Sequence, residues 1–330
     1  MAIPASVRLA FTALAVVLPA LVISHRLLAR NHRPQSIKRT EERVLVLGAS
    51  SGVGRALARK YADQAARVCI VARREADLAV LAEECGENCI WEAADFSNVD
   101  DMVRVRERLL AEWGGLDTLQ ICAGVSALQP VMALTGVQSA EEDATSDGIR
   151  TAVAIGGRAI KGNFDGPFIS ALTFVSSPTR AERSMTLITT QIPMLTRTSA
   201  SPSILLLNSL ASVVAAPTRA LYAASKASSL LLFQALAIEH SKIAFTFMLP
   251  STIEGNFRAS AVDGGPVIEK DPNKHGLKIE YVAKKCMDAV DSQITGNIVL
   301  PWFPNALGPH VYYLWPSVVE KKARKKYNFE

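Results

Sequence analysis

From Arg43 onward the chain alternates short, mostly apolar runs with stretches in which apolar residues recur every three or four positions. The runs RVLVL (43–47), RVCIVA (67–72), NCIWEAA (88–94), TLQICAG (118–124), SILLLNS (203–209) and IAFTFMLP (243–250) are of strand length. They lack a regular polar alternate, as strands buried on both faces do. Between them, VGRALARKYADQA (53–65) sets Val53, Leu57 and Tyr61 on one helical face, and EADLAVLAEEC follows the second run. DDMVRVRERLLAEW (100–113) is an amphipathic helix opened by Asp100, and a long helical run covers 223–238. Residues 126–150 read as a loop entering a helix capped near Ser146 or Asp147. Strands joined through helices must cross over right-handedly to lie side by side. The pattern therefore predicts an α/β fold, a doubly wound parallel sheet with helices on both faces.

The stretch 1–40 breaks this pattern. Its segment 9–25, LAFTALAVVLPALVISH, holds no Asp, Glu, Lys or Arg, and its length reaches the lower limit for a membrane-anchor helix. Five basic residues follow the run and Arg8 precedes it, so the positive-inside rule puts residues 40–330 in the cytosol, with the endoplasmic reticulum as the expected membrane. A mitochondrial presequence and a cleaved signal are the alternatives. The stretch is too continuously apolar for the first, and no small-residue cleavage site follows it for the second.

Charge changes the picture once this segment is set aside. The 330-residue chain has a net charge of +5, but the stretch 1–40 carries Arg8, Arg26, Arg30, Arg33, Lys38 and Arg39 and no acidic group. Basic and acidic residues nearly balance in what remains, which argues against a nucleic-acid surface, and 49% hydrophobic residues suffice for a large core. Five cysteines, odd in number and without zinc-like pairing, indicate a reducing compartment and no metal site.

Where the first strand passes to the first helix the chain reads GASSGVG (48–54). Ordinary turns hold glycines too, but a strand-to-helix turn in a βαβ unit also meets a dinucleotide's pyrophosphate. There Gly48 permits the tight turn, Gly52 lets backbone approach phosphate, and Gly54 lets helix and strand pack closely. The second strand ends in VARRE (71–75), with Ala72 where an acidic residue would accept the ribose hydroxyls and favour NAD, and Arg73 and Arg74 after it. Guanidinium groups suit a 2′-phosphate, so NADP is the expected cofactor; a solvated basic turn is the alternative.

The stretch NSLASVVAAPTRALYAASK (208–226) carries Ser209, Tyr222 and Lys226. Tyr222 and Lys226 are four apart and share a helix face, and Ser209 precedes them just after a buried strand. Together with the glycine turn, this set resembles the short-chain dehydrogenase/reductase family over roughly residues 41–300. The N-terminal span is similar to that of its membrane-anchored, hydroxysteroid-dehydrogenase-like branch. The family's TGxxxGxG is matched by LGASSGVG, with Leu47 for Thr, and its NAG by CAG (122–124), with Cys122 for Asn. Its PGxxxT is matched only at Pro250; Ser251 follows, and Gly255 stands where Thr would hold the nicotinamide amide.

The resemblance implies a Rossmann-type domain over 41–300, between an anchor and basic linker (1–40) and an aromatic, basic tail (301–330). It implies a cofactor site lined by Gly48, Ser50, Ser51, Gly52, Val53, Gly54, Arg73, Arg74, Asp95, Ala123, Gly124, Tyr222, Lys226, Pro250 and Ile253, with Asn256 able to replace the lost threonine hydroxyl. It also implies a catalytic set of Asn163, Ser209, Tyr222 and Lys226. The chemistry fits these residue types. Hydride transfer to a carbonyl leaves an alkoxide to be protonated, and the reverse reaction needs a base. A tyrosine hydroxyl, with an ordinary pKa of about 10, is a poor base near neutrality, and Lys226 with the positive nicotinamide ring favours its ionised form. Ser209 donates to the substrate oxygen as charge develops. Asn163, as the family implies, holds a water linking Lys226 to solvent. The complete set argues for an enzyme over a nucleotide-sensing scaffold that keeps the fold.

Residues 255–280 are expected to form a substrate lid. The tail sets PWFPNALGPHVYYLWP beside EKKARKKYNFE, a composition that suits a membrane interface. Such an interface favours a lipophilic carbonyl or alcohol; a packed tail with a solvated basic end is the alternative. One segment disagrees with its surroundings. VSSPTRAERSMTLITTQ (175–191) is rich in Ser and Thr and interrupts the helix carrying Asn163, which in the family packs on the sheet and at a dimer interface. Its removal joins ISALTF to IPMLTR and brings Asn163 and Ser209 nearer in sequence, as in family members. Every Val codon begins GT and a Gln codon can end in AG, so the segment reads as an in-frame retained intron, with a surface insertion as the alternative.

Overall fold

Seven short strands whose side chains are apolar on both faces can be buried only if helices cover both sides, and that is the arrangement found in the computed structural model, which describes residues 37–137, 139, 141–175, 194–264 and 272–327. The strands β1 (Arg43–Leu47), β2 (Arg67–Ala72), β3 (Cys89–Ala93), β4 (Thr118–Ile121), β5 (Ser203–Leu207), β6 (Ala244–Pro250) and β7 (Gly296–Leu300) are all parallel. Their spatial order is β3-β2-β1-β4-β5-β6-β7. The chain winds outward from β1 to β3 and then returns to β1's other side as β4, and this reversal opens a crevice at the carboxyl ends of the strands.

Alternation along β1 assigns the two cores. Leu45 and Leu47 face Met102, Val105 and Leu109 of α3 (Val99–Trp113), Phe174 of α5 (Gly166–Phe174) and Phe233 of α7 (Ala220–Glu239). Val44 and Val46 face Leu57 and Tyr61 of α1 (Gly52–Ala62), Leu78 and Leu81 of α2 (Glu75–Cys85), and Val282 and Cys286 of α9 (Ile279–Asp291). The remaining helices are α4 (Ser146–Ile160), α6 (Met194–Thr198), α8 (Pro272–His275), α10 (Gly308–Leu314) and α11 (Pro316–Tyr327). Between α4 and α5 the helix widens into one π-turn, Lys161–Asp165, which directs Asn163 inward.

The caps differ from the expected ones. Asn98, not Asp100, opens α3 by accepting the Asp101 amide at 3.0 Å, and Thr145 opens α4 by accepting the Gly148 amide at 3.1 Å. Residues 122–124 leave the sheet, because β4 ends at Ile121. The expected anchor and residues 176–191 lie outside the described residues. Phe174 and Val175 before that gap, and Met194 and Leu195 after it, share one apolar cluster. Among the described residues α7 is long and apolar enough to cross a membrane, but it lies against the sheet and carries Tyr222 and Lys226.

The amino end of the sheet is closed by charge. Arg43 donates from Nε and Nη2 to the two oxygens of Asp117 at 2.8 and 2.9 Å, and from Nη2 to the Thr198 carbonyl. Burial raises the Asp117 pKa, but hydrogen bonds from Arg43 and Ser199 outweigh it and hold the carboxyl below its ordinary value. Replacing Asp117 by Ala strands a largely buried guanidinium and should cost about 3–5 kcal/mol, read from denaturant midpoints. A loss below about 1 kcal/mol, typical of a surface pair, would show that this pair does not hold the strand ends.

Candidate active site

At the end of β1 the backbone turns under tight constraint. Gly48 has φ +87, donates its amide to the Val71 carbonyl at 2.8 Å, and lies so close to the loop after β4 that a Cβ would stand 2.6 Å from Ala123 Cα. Gly52 also has positive φ, and a Cβ on Gly54 would run into the Gly48 carbonyl. Ser51 precedes α1 without a side-chain cap, so the first amides of the helix remain available to an anion. Arg74 reaches across from the end of β2 to Ser50 Oγ at 2.9 Å and pairs with Asp77, while Arg73 is exposed. Asp95 is fixed by the Ser97 hydroxyl at 2.7 Å. A Cβ-free cradle at a helix N-terminus, with cations beside it, fits a dinucleotide pyrophosphate.

Opposite this turn stand the residues expected to handle protons. Ser209 lies two residues after β5, and its Oγ accepts from the Ala211 amide at 3.2 Å. Tyr222 and Lys226 are buried one turn apart on α7. Lys226 Nζ donates to the Leu207 carbonyl at 3.2 Å, and burial pushes its pKa down to about 8, with Cys122 acting weakly the other way. Desolvation pushes the Cys122 thiol up to about 12. Asn208 ties α7 to the strand end, donating to the Lys226 carbonyl at 2.9 Å while accepting the Ser209 amide at 2.8 Å.

Asn163 alone of the expected residues does not line the cleft. Its Oδ1 accepts the Val125 amide at 2.9 Å, and its Nδ2 donates to the Val125 carbonyl at 2.9 Å and to Ser225 Oγ at 3.0 Å, fastening the β4 loop to α7. Gly124 is wedged between: a Cβ there would meet Asn163 Oδ1 at 2.8 Å and Lys226 Nζ at 3.0 Å. Gly48, Ser50, Ser51, Gly52, Val53, Gly54, Arg73, Arg74, Asp95, Ala123, Gly124, Ser209, Tyr222, Lys226, Pro250 and Ile253 all line one cleft of about 1350 Å³. Gly255 lines it too, at φ +101, with its amide donated to Asn273 Oδ1 at 2.8 Å, and so does Asn256.

Two features went unread in the sequence. Arg219, 6% exposed, stacks its guanidinium 4.3 Å from the Tyr222 ring centroid and donates to Ser126 Oγ at 3.0 Å; Phe257 meets the same ring edge-on at 6.0 Å. The stretch containing Tyr222 does show Arg219 one helical turn before it, but not its burial. The tail also folds back over the cleft, where Val311 of α10 and Val318, Lys322 and Tyr327 of α11 form part of the wall.

A model of the short chain dehydrogenase family matches residues 42–151. The "Uncharacterized oxidoreductase YxnA" of Bacillus subtilis (strain 168) is 35% identical over 103 residues, 30% of this chain and 29% of that protein. The "11-beta-hydroxysteroid dehydrogenase-like 4A" of Arabidopsis thaliana is 29% identical over 216 residues, 64% of this chain and 60% of that protein. The matches thus span from about three-tenths to three-fifths of these relatives' lengths. Among solved structures, an alcohol dehydrogenase from the archaeon Thermococcus sibiricus, complexed with 5-hydroxy-NADP, shares the fold with a TM-score of 0.58 at 20% identity, covering 78% of this chain and 95% of that one. The matched family model and the related proteins support the short-chain dehydrogenase/reductase family for this chain.

Proposed function

We propose that this protein is a membrane-anchored, NADP(H)-dependent oxidoreductase that interconverts a carbonyl and an alcohol on a lipophilic substrate. One observation carries the reading: Ser209, Tyr222 and Lys226 line the same cleft as the glycine turn and the Arg73–Arg74 pair. When bound, the nicotinamide supplies or accepts the hydride. The chain's own residues manage the proton. Tyr222 Oη gives its proton to the developing alkoxide, or takes one from the alcohol in the reverse direction. Lys226 in its charged form favours the ionised phenol, and Ser209 Oγ donates to the reacting oxygen where charge accumulates. Asn163 keeps the β4 loop locked to α7 and is assigned the water that joins Lys226 to solvent.

The neighbouring surfaces support the rest of the reading. The Arg74–Ser50 contact keeps a guanidinium at the edge of the cradle, where a 2′-phosphate would be read. Exposed Phe303, Tyr313, Leu314 and Trp315 stand beside the basic α11, a combination suited to a lipid headgroup layer, and the N-terminal span would tether the domain to the cytosolic face of the endoplasmic reticulum. Exposed Val153, Leu172, Leu231 and Ile238 on α4, α5 and α7 offer an apolar face for a second copy of the chain.

The decisive experiment is Tyr222→Phe. It should retain NADPH binding and lower turnover by roughly 10²-fold or more, followed by NADPH oxidation against steroid, retinal and long-chain ketones. Undiminished turnover would reject the mechanism, and no turnover even in the wild type would favour a nucleotide-sensing scaffold. For the cofactor, Arg74→Ala combined with Arg73→Asp should weaken NADP by about tenfold or more while leaving NAD nearly unaffected, because charge-assisted bonds to the 2′-phosphate are lost. A wild-type protein that binds NAD more tightly than NADP would overturn this assignment.

Lys226 gives a pH signature. With a folded pKa of about 8 and an ordinary value of 10.5, the unfolded chain holds the extra proton between these values. Stability therefore gains with rising pH through that window, and below it the full cost of burying the charge is present. Unfolding curves of wild type and Lys226→Met should shift relative to each other in the wild type's favour from about pH 8 to pH 10. Parallel pH dependences would mean that the amine is not desolvated.

A further inference from the structure

We infer that Arg219 is a positioning residue for proton transfer: it fixes the Tyr222 ring, favours the ionised phenol, and ties both effects to the seating of the segment after β6. The inference rests on the dehydrogenase reading of this cleft. The Arg219 guanidinium lies 4.3 Å from the centroid of the Tyr222 ring and donates to Ser126 Oγ at 3.0 Å. All three residues are buried. Removing a guanidinium from water is costly, and the contacts that this one makes include the ring of the reacting residue itself.

The stack acts in two ways. A planar cation packed on the ring restricts its rotation. An opposite charge within about 4–6 Å also favours the ionised form of a phenol, and burial strengthens that effect. Lys226 supplies a second buried cation one helical turn beyond Tyr222, so the ring is flanked along the chain from both sides. From the other elements, Arg158 of α4, Lys161 of the π-turn, Glu254 and Arg258 after β6, and Lys322 and Lys326 of α11 line the same cleft. The loop after β4 adds the Cys122 thiol, which is neutral near pH 7. All of these stay in place when Arg219 alone is changed, so the difference between wild type and an Arg219 variant reports the contribution of that residue.

Ser126 makes this arrangement depend on a distant part of the chain. Its hydroxyl accepts from Arg219, its carbonyl accepts the Val262 amide at 2.9 Å, and its backbone pairs with Ala261 as a parallel bridge. Asp263 fastens the same junction by accepting the Leu128 and Gln129 amides at 2.5 and 2.8 Å, and Arg158 donates to the Val262 carbonyl at 2.9 Å. Phe257, at the start of this segment, meets the Tyr222 ring edge-on at 6.0 Å. Residues 257–263 thus touch the reacting ring directly through Phe257 and indirectly through Ser126 and Arg219. They belong to the stretch in which the sequence predicts the substrate lid, so the seating of that stretch and the placement of the phenol are one arrangement.

The test is a titration of the full chain followed by tyrosinate absorbance, in wild type and Tyr222→Phe, so that the difference reports Tyr222. The same pair carrying Arg219→Met should show the Tyr222 midpoint raised by about one pH unit or more. Arg219→Gln removes the charge but keeps a planar donor for Ser126; it should raise the midpoint similarly, and it decides the matter where the methionine variant does not fold. Arg219→Lys keeps the charge and should return the midpoint most of the way to the wild-type value. Ser126→Ala should raise it less, and should add nothing in the Arg219→Gln background, because it acts through the arginine. In the direction of alcohol oxidation, the rise of kcat with pH should move by the same amount while NADP+ binding stays unchanged. An unmoved midpoint in the neutral variants overturns the inference, as does a Ser126→Ala effect that is equal with and without Arg219. The titration needs neither cofactor nor turnover. A midpoint that moves as expected in a protein that oxidises no alcohol and reduces no carbonyl defeats the dehydrogenase reading alone. Turnover that depends on Tyr222, with the midpoint fixed in Arg219→Gln, defeats this inference alone.

Discussion

An ammonium group buried at the carboxyl edge of a parallel sheet is the constraint around which this site is built. Lys226 is 4% exposed, its Nζ donates to the Leu207 carbonyl, and Gly124 lies close against it. Such a group is tolerated only if the surrounding backbone is held close and does not drift. That requirement explains where the polar side chains around it spend their bonds. Asn208 and Asn163 bind backbone and Ser225 rather than facing the substrate, and in doing so clamp α7 to β5 and to the loop after β4. The same loop also touches the glycine turn at the end of β1, since Ala123 abuts Gly48 while its neighbour Gly124 abuts Lys226. Two adjacent residues thus link the glycine turn to the buried amine, and a shift in either would be felt by the other.

The two ends of the sheet divide the labour. At the amino end, Arg39 pairs with Glu42 and Asp291, Arg43 with Asp117, and the Thr118 hydroxyl donates to Glu42, so partly buried charges are matched and hydrogen-bonded. At the carboxyl end, Arg73, Arg74, Arg158, Arg219 and Lys226 line the cleft. Stabilisation concentrated at one end lets the other remain unfavourable in isolation, a common condition of sites that must bind something charged.

How much of this was legible follows from the range of the forces involved. The bounds of β1 and β2 were readable because their apolar runs are flanked by charged residues or glycine. β4 ends before its apolar run does, since the close approach of Ala123 to Gly48 draws the chain out of the sheet. β7 left little signal, because GNIVL has three apolar residues at a sheet edge. Tyr222 and Lys226 were legible because helix periodicity links them, and Ser209 because it follows a strand. Arg219 lies on that same helical approach, but its burial depends on Ser126, 93 residues away, and no local pattern reports that. The tail's aromatic and basic composition suggested a membrane seat, whereas its folding over the cleft, with Tyr327 buried and Val318 in the wall, depends on tertiary packing that no local pattern reports.

The departures from the family pattern acquire a physical meaning in this light. Cys122 replaces an asparagine beside Lys226, and its thiol, with a pKa raised to about 12, is neutral at physiological pH. Burial drives the Lys226 pKa down to about 8, and the neighbouring Cys122 offsets only part of that shift. Near neutrality Lys226 is then charged with little in reserve. Any anion entering the cleft raises its proton affinity, and any cation lowers it. The electrostatic state of the site is therefore not a fixed property of the protein alone but depends on the charge of what it binds.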